Sequence, residues 1–279
     1  MESKYHVGKR IVTNHSLTRI SKKVLLYSAA YLGANIPVLK EKIYKRSSKS
    51  LKDRMDEEKN LDDILDTVLE VKPGKPFEVE AVQLRHEIKQ LAELVKEEDP
   101  VNIVEIGTLR GGTSYIWSRY IESAEKIVSV DLPGKAIKDM RDRLLEEFSI
   151  SKEISVIRGN SHDKETFKEV RDEVDEVDFL LIDGDHSYEG VKTDFEMYKE
   201  IVSDGGMIAF HDIVPHASSR QEIDQKLNDV EDLEKKDVAM GSPNWGVAEF
   251  WNEIKDDYET KEFVSHPKQN GKGIGVILV

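Results

Sequence analysis

The segment "VEIGTLRGGTSY", residues 104–115, joins the end of an apolar run to a pair of glycines and then to a helical pattern. The apolar run starts at residue 101 and predicts a buried strand that ends at Gly107. Gly111 and Gly112 allow a sharp turn and the close approach of a ligand to the next helix, whose first N–H groups lack partners within the helix. The segment therefore predicts a strand, a ligand-binding loop and a helix; a purely structural glycine turn is the alternative.

The spacing of these glycines excludes two common nucleotide-binding motifs. Gly-x-x-x-Gly-Gly differs from the Gly-x-Gly-x-x-Gly of dinucleotide sites, which disfavours a nicotinamide-dependent oxidoreductase. A P-loop would continue with Gly-Lys followed by Ser or Thr, and this sequence does not.

The alternation of strands and helices continues along the chain. Apolar runs predict seven strands, at 101–107, 126–131, 154–160, 178–184, 206–212, 260–266 and 273–279. Helical spacing predicts helices at 56–70, 113–122, 136–148, 164–174, 189–202 and 246–258, and one more that carries Ala81, Leu84, Ile88, Leu91 and Val95. Strands that are almost continuous in Val, Ile and Leu indicate a doubly wound α/β fold, in which helices cover both faces of a mostly parallel sheet.

The composition is that of an acidic protein without cysteine. The chain has 279 residues and a net charge of −14, and its length suits one large α/β domain with an appendage. The lack of cysteine excludes disulfides, thiolate metal sites and a cysteine nucleophile. A reducing, cytoplasmic location is the default expectation for such a chain.

The N-terminal region differs in charge from the rest. Residues 1–54 contain 13 lysines and arginines against three acidic residues, so we expect a basic helical extension over 1–75 and the main domain over 76–279. The acidic main domain argues against nucleic-acid binding there. The basic residues 1–54 suit weak contact with an anionic membrane surface, a nucleic acid, the acidic domain or solvent.

One apolar stretch of the extension, residues 24–39, raises the question of a membrane span. It is shorter than the ~20 residues that a span requires. It predicts a helix that packs on the main domain or on a second subunit, or one that lies at a membrane interface.

Polar residues follow the second and third predicted strands. Asp131 ends the second strand about 20 positions after the glycine loop, where a carboxylate suits the two hydroxyls of a ribose. Asn160 and Ser161 follow the third strand, where they could hydrogen-bond an adenine edge or serve only as turn residues.

Together these motifs resemble the class I S-adenosylmethionine-dependent methyltransferases. The segments "VEIGTLRGGTS", "LLIDGDHSYEGVKTDF", "GGMIAFHDI", "GVAEFWNEIK" and "GIGVILV" resemble one subgroup, which includes macrolide-sugar and rhamnosyl O-methyltransferases and the cephalosporin "hydroxylase" (7-methoxylation) proteins. The resemblance covers about residues 77–279 and implies a Rossmann-like sheet of seven strands. It implies that S-adenosylmethionine is bound by Glu105, Gly107, Thr108, Gly111, Gly112, Thr113, Ser114, Asp131, Asn160, Ser161 and Asp183.

The resemblance also assigns roles to the charged residues that follow the fourth and fifth strands. In the sugar enzymes an Asp at the position of Asp183 ligates a divalent metal, and a His at the position of His186 is the general base. Further ligands come from an acidic pair, which here reads His211-Asp212. Since the sugar enzymes carry Glu at the first of these positions, the metal differs, or His211 is not a ligand, or the metal is lost.

The chemistry of a hydroxyl acceptor agrees with these roles. A cation such as Mg²⁺ or Mn²⁺ lowers the pKa of a bound hydroxyl, and a nearby imidazole can accept the proton. Asp185 is either a further ligand or a cap of the following helix. We therefore expect a metal-assisted O-methyltransferase, with Asp183 and His186 catalytic, that acts on a sugar or another polyhydroxylated small molecule.

Three further expectations complete this interpretation. Residues 213–245 interrupt the alternation and predict an acceptor lid, with His216, Met240 and Trp245 as candidate lining residues. Related sugar enzymes oligomerise, so the resemblance implies a homo-oligomer. The main alternative is a cofactor-binding, non-catalytic partner in a biosynthetic pathway; a nucleic-acid methyltransferase is disfavoured because no Asn/Asp-Pro-Pro-Tyr/Phe signature is present.

Overall fold

A computed structural model describes most of the main domain and part of the extension. The described residues are 36–69, 79–134, 136–148, 152–217, 219, 221–222 and 245–279. The predictions for residues 24–35, for Met240 and for most of the lid segment lie outside the described residues. Among the helices that are described, none combines the length and the apolar character that crossing a membrane requires.

Seven strands form a single sheet in the order β3-β2-β1-β4-β5-β7-β6. Their bounds are β1 Asn102–Ile106, β2 Lys126–Asp131, β3 Glu153–Arg158, β4 Val177–Ile182, β5 Val202–His211, β6 Glu259–Phe263 and β7 Ile274–Leu278. The first five strands pair in parallel, and β7 runs antiparallel between β5 and β6. The predicted seven-stranded, mostly parallel sheet is confirmed.

Helices cover both faces of this sheet. They are α1 Pro37–Met55, α2 Leu61–Leu69, α3 Arg85–Glu97, α4 Gly112–Tyr120, α5 Ala136–Phe148, α6 Lys164–Glu173, α7 Tyr188–Tyr198 and α8 Val247–Ile254. Successive strand residues face opposite sides. Ile103 packs in one hydrophobic cluster with α1 to α5, whereas Val104 packs in a second cluster with α6, α7 and α8. These two clusters confirm the doubly wound arrangement.

The described part of the N-terminal extension packs into the first of these clusters. Leu51 of α1 and Leu65 of α2 are fully buried there. Between the two helices, Glu58 accepts hydrogen bonds from the Tyr115 hydroxyl at 2.9 Å and from Arg119 Nε at 2.8 Å. Residues 37–69 are thus bound to α4 by both apolar and ionic contacts.

The predicted helix around residues 81–95 starts later than its apolar pattern indicates. Ala81 and Leu84 fit the helical stripe, but α3 begins at Arg85. The Ala81 amide instead donates to the Val68 carbonyl at 3.0 Å, and Glu80 bridges to Gly111 of the glycine loop. Tertiary hydrogen bonds therefore hold this segment extended and bring it to the carboxyl edge of the sheet.

Candidate active site

A cavity of about 420 Å³ opens at the carboxyl ends of the five parallel strands. The strand ends contribute Ile106 to Leu109, Val130 to Leu132, Gly159 to Ser161, Asp183 to His186, and His211 with Asp212. The remaining wall consists of Glu80, Ala81, Val82, Gln83, Thr113, Trp245 and Lys272. This position is the usual ligand site of a doubly wound sheet.

The glycine loop after β1 is shaped by close backbone contacts. Gly107 has a φ of +93°, and a Cβ there would lie 2.0 Å from the Asp183 carbonyl oxygen. A Cβ on Gly112 would lie 2.1 Å from the Ala81 nitrogen. Because neither position can hold a larger side chain without a backbone shift, the glycines bring the loop against β4 and against the 80–83 segment.

Glu105 lies beneath this loop rather than on the cavity wall. Its buried carboxylate accepts hydrogen bonds from the hydroxyls of Thr113 and Ser114. Burial raises the pKa of Glu105 to about 7, although these two hydrogen bonds oppose the shift. Ser114 also contacts the hydroxyl of Ser129 at 2.8 Å, so a polar network anchors the loop to β1 and β2.

The predicted cofactor-binding residues divide into two groups. Those on the wall of the cavity are Gly107, Thr108, Thr113, Asp131, Asn160, Ser161 and Asp183. Those that shape the loop without joining the wall of this cavity are Glu105, Gly111, Gly112 and Ser114. The structure therefore collects the first group around one space and places the second group behind it.

Asp131 is held by an arginine that the sequence patterns do not single out. The Asp131 carboxylate lies 3.2 Å from Arg158 Nη1, and Arg158 Nε donates to Asp142 of α5 at 3.0 Å. Asn160 accepts a hydrogen bond from the His162 amide at 3.2 Å, which is a turn contact of the kind expected for Asn.

Two carboxylates and two imidazoles meet at the ends of β4 and β5 and are called here the acid–imidazole cluster: Asp183, His186, His211 and Asp212. His186 Nε2 lies 3.2 Å from Asp183 Oδ1 and 3.2 Å from Asp212 Oδ2. His211 Nδ1 lies 3.1 Å from Asp183 Oδ1 and 3.4 Å from Asp212 Oδ2. The structure thus brings together all four residues for which the resemblance implied catalysis or metal binding.

The four groups of the cluster stabilise one another's charged forms. Burial alone would lower the pKa of both imidazoles, but the two carboxylates raise it to about 9 for His186 and about 10 for His211. Burial would raise the pKa of Asp183 and Asp212, but the charge of His211 and the hydrogen bond from His186 hold both below the usual range. Without a bound cation, these contacts favour protonated imidazoles beside ionised carboxylates.

The cluster also has donor atoms that suit a divalent cation. One ligand atom from each of the four residues lies within 4.8 Å of the others. Ligand atoms about 2.1 Å from one ion lie at most about 4.2 Å apart, so a contraction of a few tenths of an ångström would close the set. His211 Nε2 is buried without a hydrogen-bond partner among the described residues. Two carboxylates with one imidazole or both favour Mn, Fe, Ni or Zn over Mg.

Gln83 and Lys272 support the cluster from outside β4 and β5. Gln83 Nε2 donates to Asp183 Oδ2 at 2.8 Å, and the Lys272 amide donates to Asp212 Oδ1 at 3.1 Å. Sequence reasoning missed both residues. Neither residue lies in a sequence motif. Each reaches the cluster only because the fold brings its segment close to β4 and β5.

Asp185 is not a member of the cluster. Its Oδ1 accepts a hydrogen bond from the Ser187 amide at 2.9 Å, so it braces the turn before α7. The cap of α7 is Ser187, whose hydroxyl accepts from the Gly190 amide at 3.0 Å. Asp185 thus makes a turn contact next to the cap of α7. This contact is nearer to the predicted capping role than to the predicted role as a metal ligand.

Two residues of the predicted lid segment flank the cluster. The Trp245 ring stacks on His186 with centroids 4.8 Å apart, and it meets His216 edge to face at 4.2 Å. Stacking against the indole restricts the orientation of the His186 ring.

Comparison with known proteins supports a methyltransferase fold. Residues 104–213, less than half of the chain, match a family model described as a methyltransferase domain. This segment contains the glycine loop, Asp131 and the whole acid–imidazole cluster. An uncharacterized protein, R132 of Acanthamoeba polyphaga mimivirus, is 30% identical over 129 residues, which are 45% of this chain and 57% of that protein. The match thus spans little more than half the length of this relative.

Solved structures agree on the fold. An O-methyltransferase from Bacillus cereus in complex with SAH has a TM-score of 0.55 at 18% identity, over 80% of this chain and 92% of that one. Cofactor-bound Rv0187 from MTB has a TM-score of 0.51 at 13% identity, over 80% of this chain and 98% of that one. The sheet and its flanking helices therefore form a Rossmann-like fold of the kind found in methyltransferases.

Proposed function

We propose that the protein is an S-adenosylmethionine-dependent O-methyltransferase. We further propose that its acceptor is a hydroxyl of a sugar or another polyhydroxylated small molecule, and that a divalent cation assists. One observation carries the proposal: a single cavity joins the glycine loop and the ends of β2 and β3 to the acid–imidazole cluster. A methyl donor bound at the loop would thus lie next to a group able to take a proton from the acceptor.

The wall of the cavity suggests how the methyl donor binds. Asp131 would accept hydrogen bonds from the ribose hydroxyls, and Arg158 fixes the orientation of its carboxylate. Asn160 and Ser161 would lie at the adenine, and Gly107 lets the methionine part approach the backbone. These residues on the wall would contact the cofactor, while Glu105 and Ser114 would hold the loop in shape.

His186 is the group that we assign to proton transfer. Its Nε2 lies between Asp183 and Asp212, and Trp245 restrains the ring plane. A cation on Asp183 and Asp212 would offset their charge and lower the pKa of His186, so that a neutral Nε2 could accept the proton of the acceptor hydroxyl. A divalent cation bound by Asp183, Asp212 and His211 would supply a Lewis acid that lowers the pKa of this hydroxyl.

Methyl transfer of this kind requires no covalent enzyme intermediate. The acceptor oxygen must lie in line with the sulfonium methyl, so a fixed geometry supplies much of the rate. The cavity wall holds Asp183 at the junction of the glycine loop and the cluster, through the Gly107 contact and the hydrogen bond from Gln83. The cofactor and the acceptor would therefore meet at Asp183.

The proposal is tested by transfer of a labelled methyl group to a panel of sugars and cyclitols with Mn²⁺ present. We expect transfer by the native protein and a loss of at least about 100-fold in His186→Ala, since general base catalysis contributes roughly that much. His86→Ala, which changes an exposed histidine of α3, is the matched control and retains the activity. Equal activity of the His186 variant and the native protein would contradict the assignment.

Two results of the same assay would decide against the main proposal. If no acceptor is methylated although the cofactor binds, the non-catalytic partner of a biosynthetic pathway becomes the better account. If methyl transfer goes only to nucleic acid, the small-molecule acceptor is wrong. The cytoplasmic location, the homo-oligomer and the membrane contact of residues 1–54 stay predictions.

A further inference from the structure

Most of the exposed large apolar side chains lie at the carboxyl edge of the sheet. Four of them line the large cavity and surround its mouth: Val82, Leu109, Leu132 and Trp245. Three more stand at the start of α1: Ile36, Val38 and Leu39. The eighth, Val101, directly precedes β1 and therefore lies at the opposite, amino edge. Among the described residues, exposed apolar side chains are thus concentrated at one end of the molecule.

The start of α1 lies at this end because α1 runs alongside α5 in the same direction. Lys40 is 3.2 Å from Asp139 in the first turn of α5, and the Tyr44 hydroxyl donates to Glu147 further along that helix. Helix α5 follows β2, so its first turn lies at the edge where the cavity opens. The three residues at the start of α1 and the four at the mouth therefore share one edge, and together they are called here the apolar rim. Exposed apolar groups collected in this way indicate an interaction surface.

The exposed face of α1 continues from the apolar rim with basic side chains. Val38 and Leu39 are followed at helical spacing by a stripe of exposed residues, Lys42, Lys45, Arg46 and Lys49. The opposite face of the helix is buried, with Tyr44, Ser47 and Leu51 against the main domain. The one acidic residue of the segment 37–49 is Glu41, which lies 3.5 Å from Arg143. The exposed stripe is therefore cationic.

The basic stripe lies close enough to the rim to act with it. Lys42, Lys45 and Arg46 come three to seven residues after Leu39. At a rise of 1.5 Å per residue, this is about 5–11 Å along the helix axis. The distance is comparable to the Debye length of about 10 Å at moderate salt. A negatively charged surface in contact with the rim would therefore attract these three side chains.

The combination of an apolar rim and a basic stripe favours an anionic lipid surface over two other partners. A nucleic acid is bound by a basic groove with aromatic rings, whereas the rim is mainly aliphatic. A second copy of the chain would bring two basic stripes close together in a symmetric contact, and like charges would repel. A bilayer with anionic headgroups accepts both the apolar and the cationic groups.

We propose that the carboxyl edge of the molecule docks on an anionic lipid bilayer. The apolar rim would enter the headgroup region, while Lys42, Lys45 and Arg46 would contact lipid phosphates. The mouth of the large cavity would then face the bilayer, so that a membrane-bound molecule could reach it directly. This inference extends the predicted membrane contact of residues 1–54 to a defined face that includes the cavity, and it does not rest on the proposed function.

Sedimentation of the full chain with vesicles tests the proposal. One set of vesicles is phosphatidylcholine alone, and the other contains equal parts of phosphatidylcholine and phosphatidylglycerol. We expect binding to the anionic vesicles only, and weaker binding as salt is added. Val38→Glu should weaken it about tenfold, since burial of one valine contributes roughly that much. Val101→Glu is the same change at the opposite edge and should have no effect.

Both valines are suitable for substitution, and a lysine pair tests the electrostatic part. Val38 is 79% exposed and Val101 is 42% exposed, so both variants should fold. Lys45→Ala should weaken vesicle binding roughly fivefold, as expected for one basic residue near an anionic surface. Lys96→Ala is its control, because Lys96 lies in the last turn of α3, which leads to the amino end of β1.

Tryptophan fluorescence tests whether the mouth of the cavity faces the bilayer. The chain has three tryptophans. Trp117 and Trp251 are at most 1% exposed, whereas Trp245 is 37% exposed and belongs to the apolar rim. We expect anionic vesicles with brominated acyl chains to quench the fluorescence of the native protein, and we expect this quenching to be lost in Trp245→Phe.

Several results would overturn the inference. The first is a lack of binding to anionic vesicles, and the second is an equal effect of Val38→Glu and Val101→Glu. Binding without quenching of Trp245 would mean that the cavity faces away from the lipid. A lipid-free dimer that Val38→Glu dissociates would assign the rim to a second copy of the chain, and retention by duplex DNA instead of vesicles would assign the stripe to nucleic acid. Calorimetry with S-adenosylhomocysteine tests the proposed function separately.

Discussion

At the scale of single residues, His211 decides the character of the candidate metal site. The resemblance to sugar methyltransferases implies a glutamate at this position, and the structure shows an imidazole 3.1 Å from Asp183. A nitrogen donor favours transition metals, whereas carboxylates alone favour Mg²⁺. The identity of this one side chain therefore predicts the metal preference.

His211→Glu should move that preference towards Mg²⁺. We expect the ratio of Mn²⁺ to Mg²⁺ affinity to fall by about tenfold or more, because the donor set becomes all oxygen. Competition calorimetry on the metal-stripped protein measures the ratio. An unchanged ratio would show that His211 is not a ligand.

Glu105 gives the native state a distinct dependence on pH. Its pKa rises from the ordinary 4.5 to about 7, so the folded protein binds more protons than the unfolded chain between these values. Protonated Glu105 therefore contributes about 3 kcal/mol to the free energy of unfolding at low pH. This contribution is lost as the pH rises from 4.5 to 7.

Glu105→Gln removes this titration. We expect the free energy of unfolding of the variant to rise relative to that of the native protein between about pH 5 and pH 8. The reason is that only the native protein loses a stabilising protonated carboxyl in this range. Urea unfolding at a series of pH values gives the difference. A difference that stays constant across the series would mean that the pKa of Glu105 is not raised.

At the scale of elements, one glutamate of α3 organises the β6–β7 loop. The fully buried carboxylate of Glu87 accepts hydrogen bonds from Gln269 Nε2 at 2.7 Å and from the Gly273 amide at 2.9 Å. The same loop supplies the Lys272 amide to Asp212 and the Gly271 backbone to His216. Helix α3 thus supports Asp212 through this loop without itself lining the cavity at the carboxyl edge.

Glu87→Gln should loosen this loop. Loss of a charged acceptor predicts a fall of about 2 kcal/mol in the free energy of unfolding and weaker Mn²⁺ binding, because Asp212 loses its support. Affinity for S-adenosylhomocysteine should be unchanged. Glu93→Gln, on an exposed position of the same helix, is the control for denaturation and calorimetry. Equal effects of the two variants would contradict a role of the loop in holding Asp212.

At the scale of the whole molecule, the parallel strands and their terminal residues could be predicted from the sequence. Each strand is a local apolar pattern, and parallel strands place their carboxyl ends at one edge, so Asp131 and Asp183 were expected on one side of the sheet. Gln83 and Lys272 could not be predicted, because tertiary hydrogen bonds alone bring them to the cluster. The contact between His216 and the Gly271 backbone depends in the same way on the tertiary approach of the β6–β7 loop.

In the N-terminal extension, too, local sequence patterns did not predict the tertiary contacts. Its charged composition predicted a helical extension, but it gave no sign that Leu51 and Leu65 are as deeply buried as Leu91 of α3. Charge on the exposed face of a helix says little about its buried face.

Leu51→Ala tests whether α1 is an integral part of the fold. We expect it to reduce the free energy of unfolding by about 2–5 kcal/mol, as for any buried leucine, with Leu91→Ala as the reference. Urea denaturation of both variants provides the comparison. A change below about 0.5 kcal/mol, typical of a surface position, would mean that α1 contributes little to the core.

The central claim is that the cavity at the carboxyl edge binds the methyl donor, and calorimetry with S-adenosylhomocysteine tests it most directly. The titration uses the metal-stripped native protein and Asp131→Ala, each with and without Mn²⁺. We predict micromolar binding to the native protein and at least about tenfold weaker binding to the variant, as expected for lost hydrogen bonds to a charged group. Absence of binding under every condition would contradict the account.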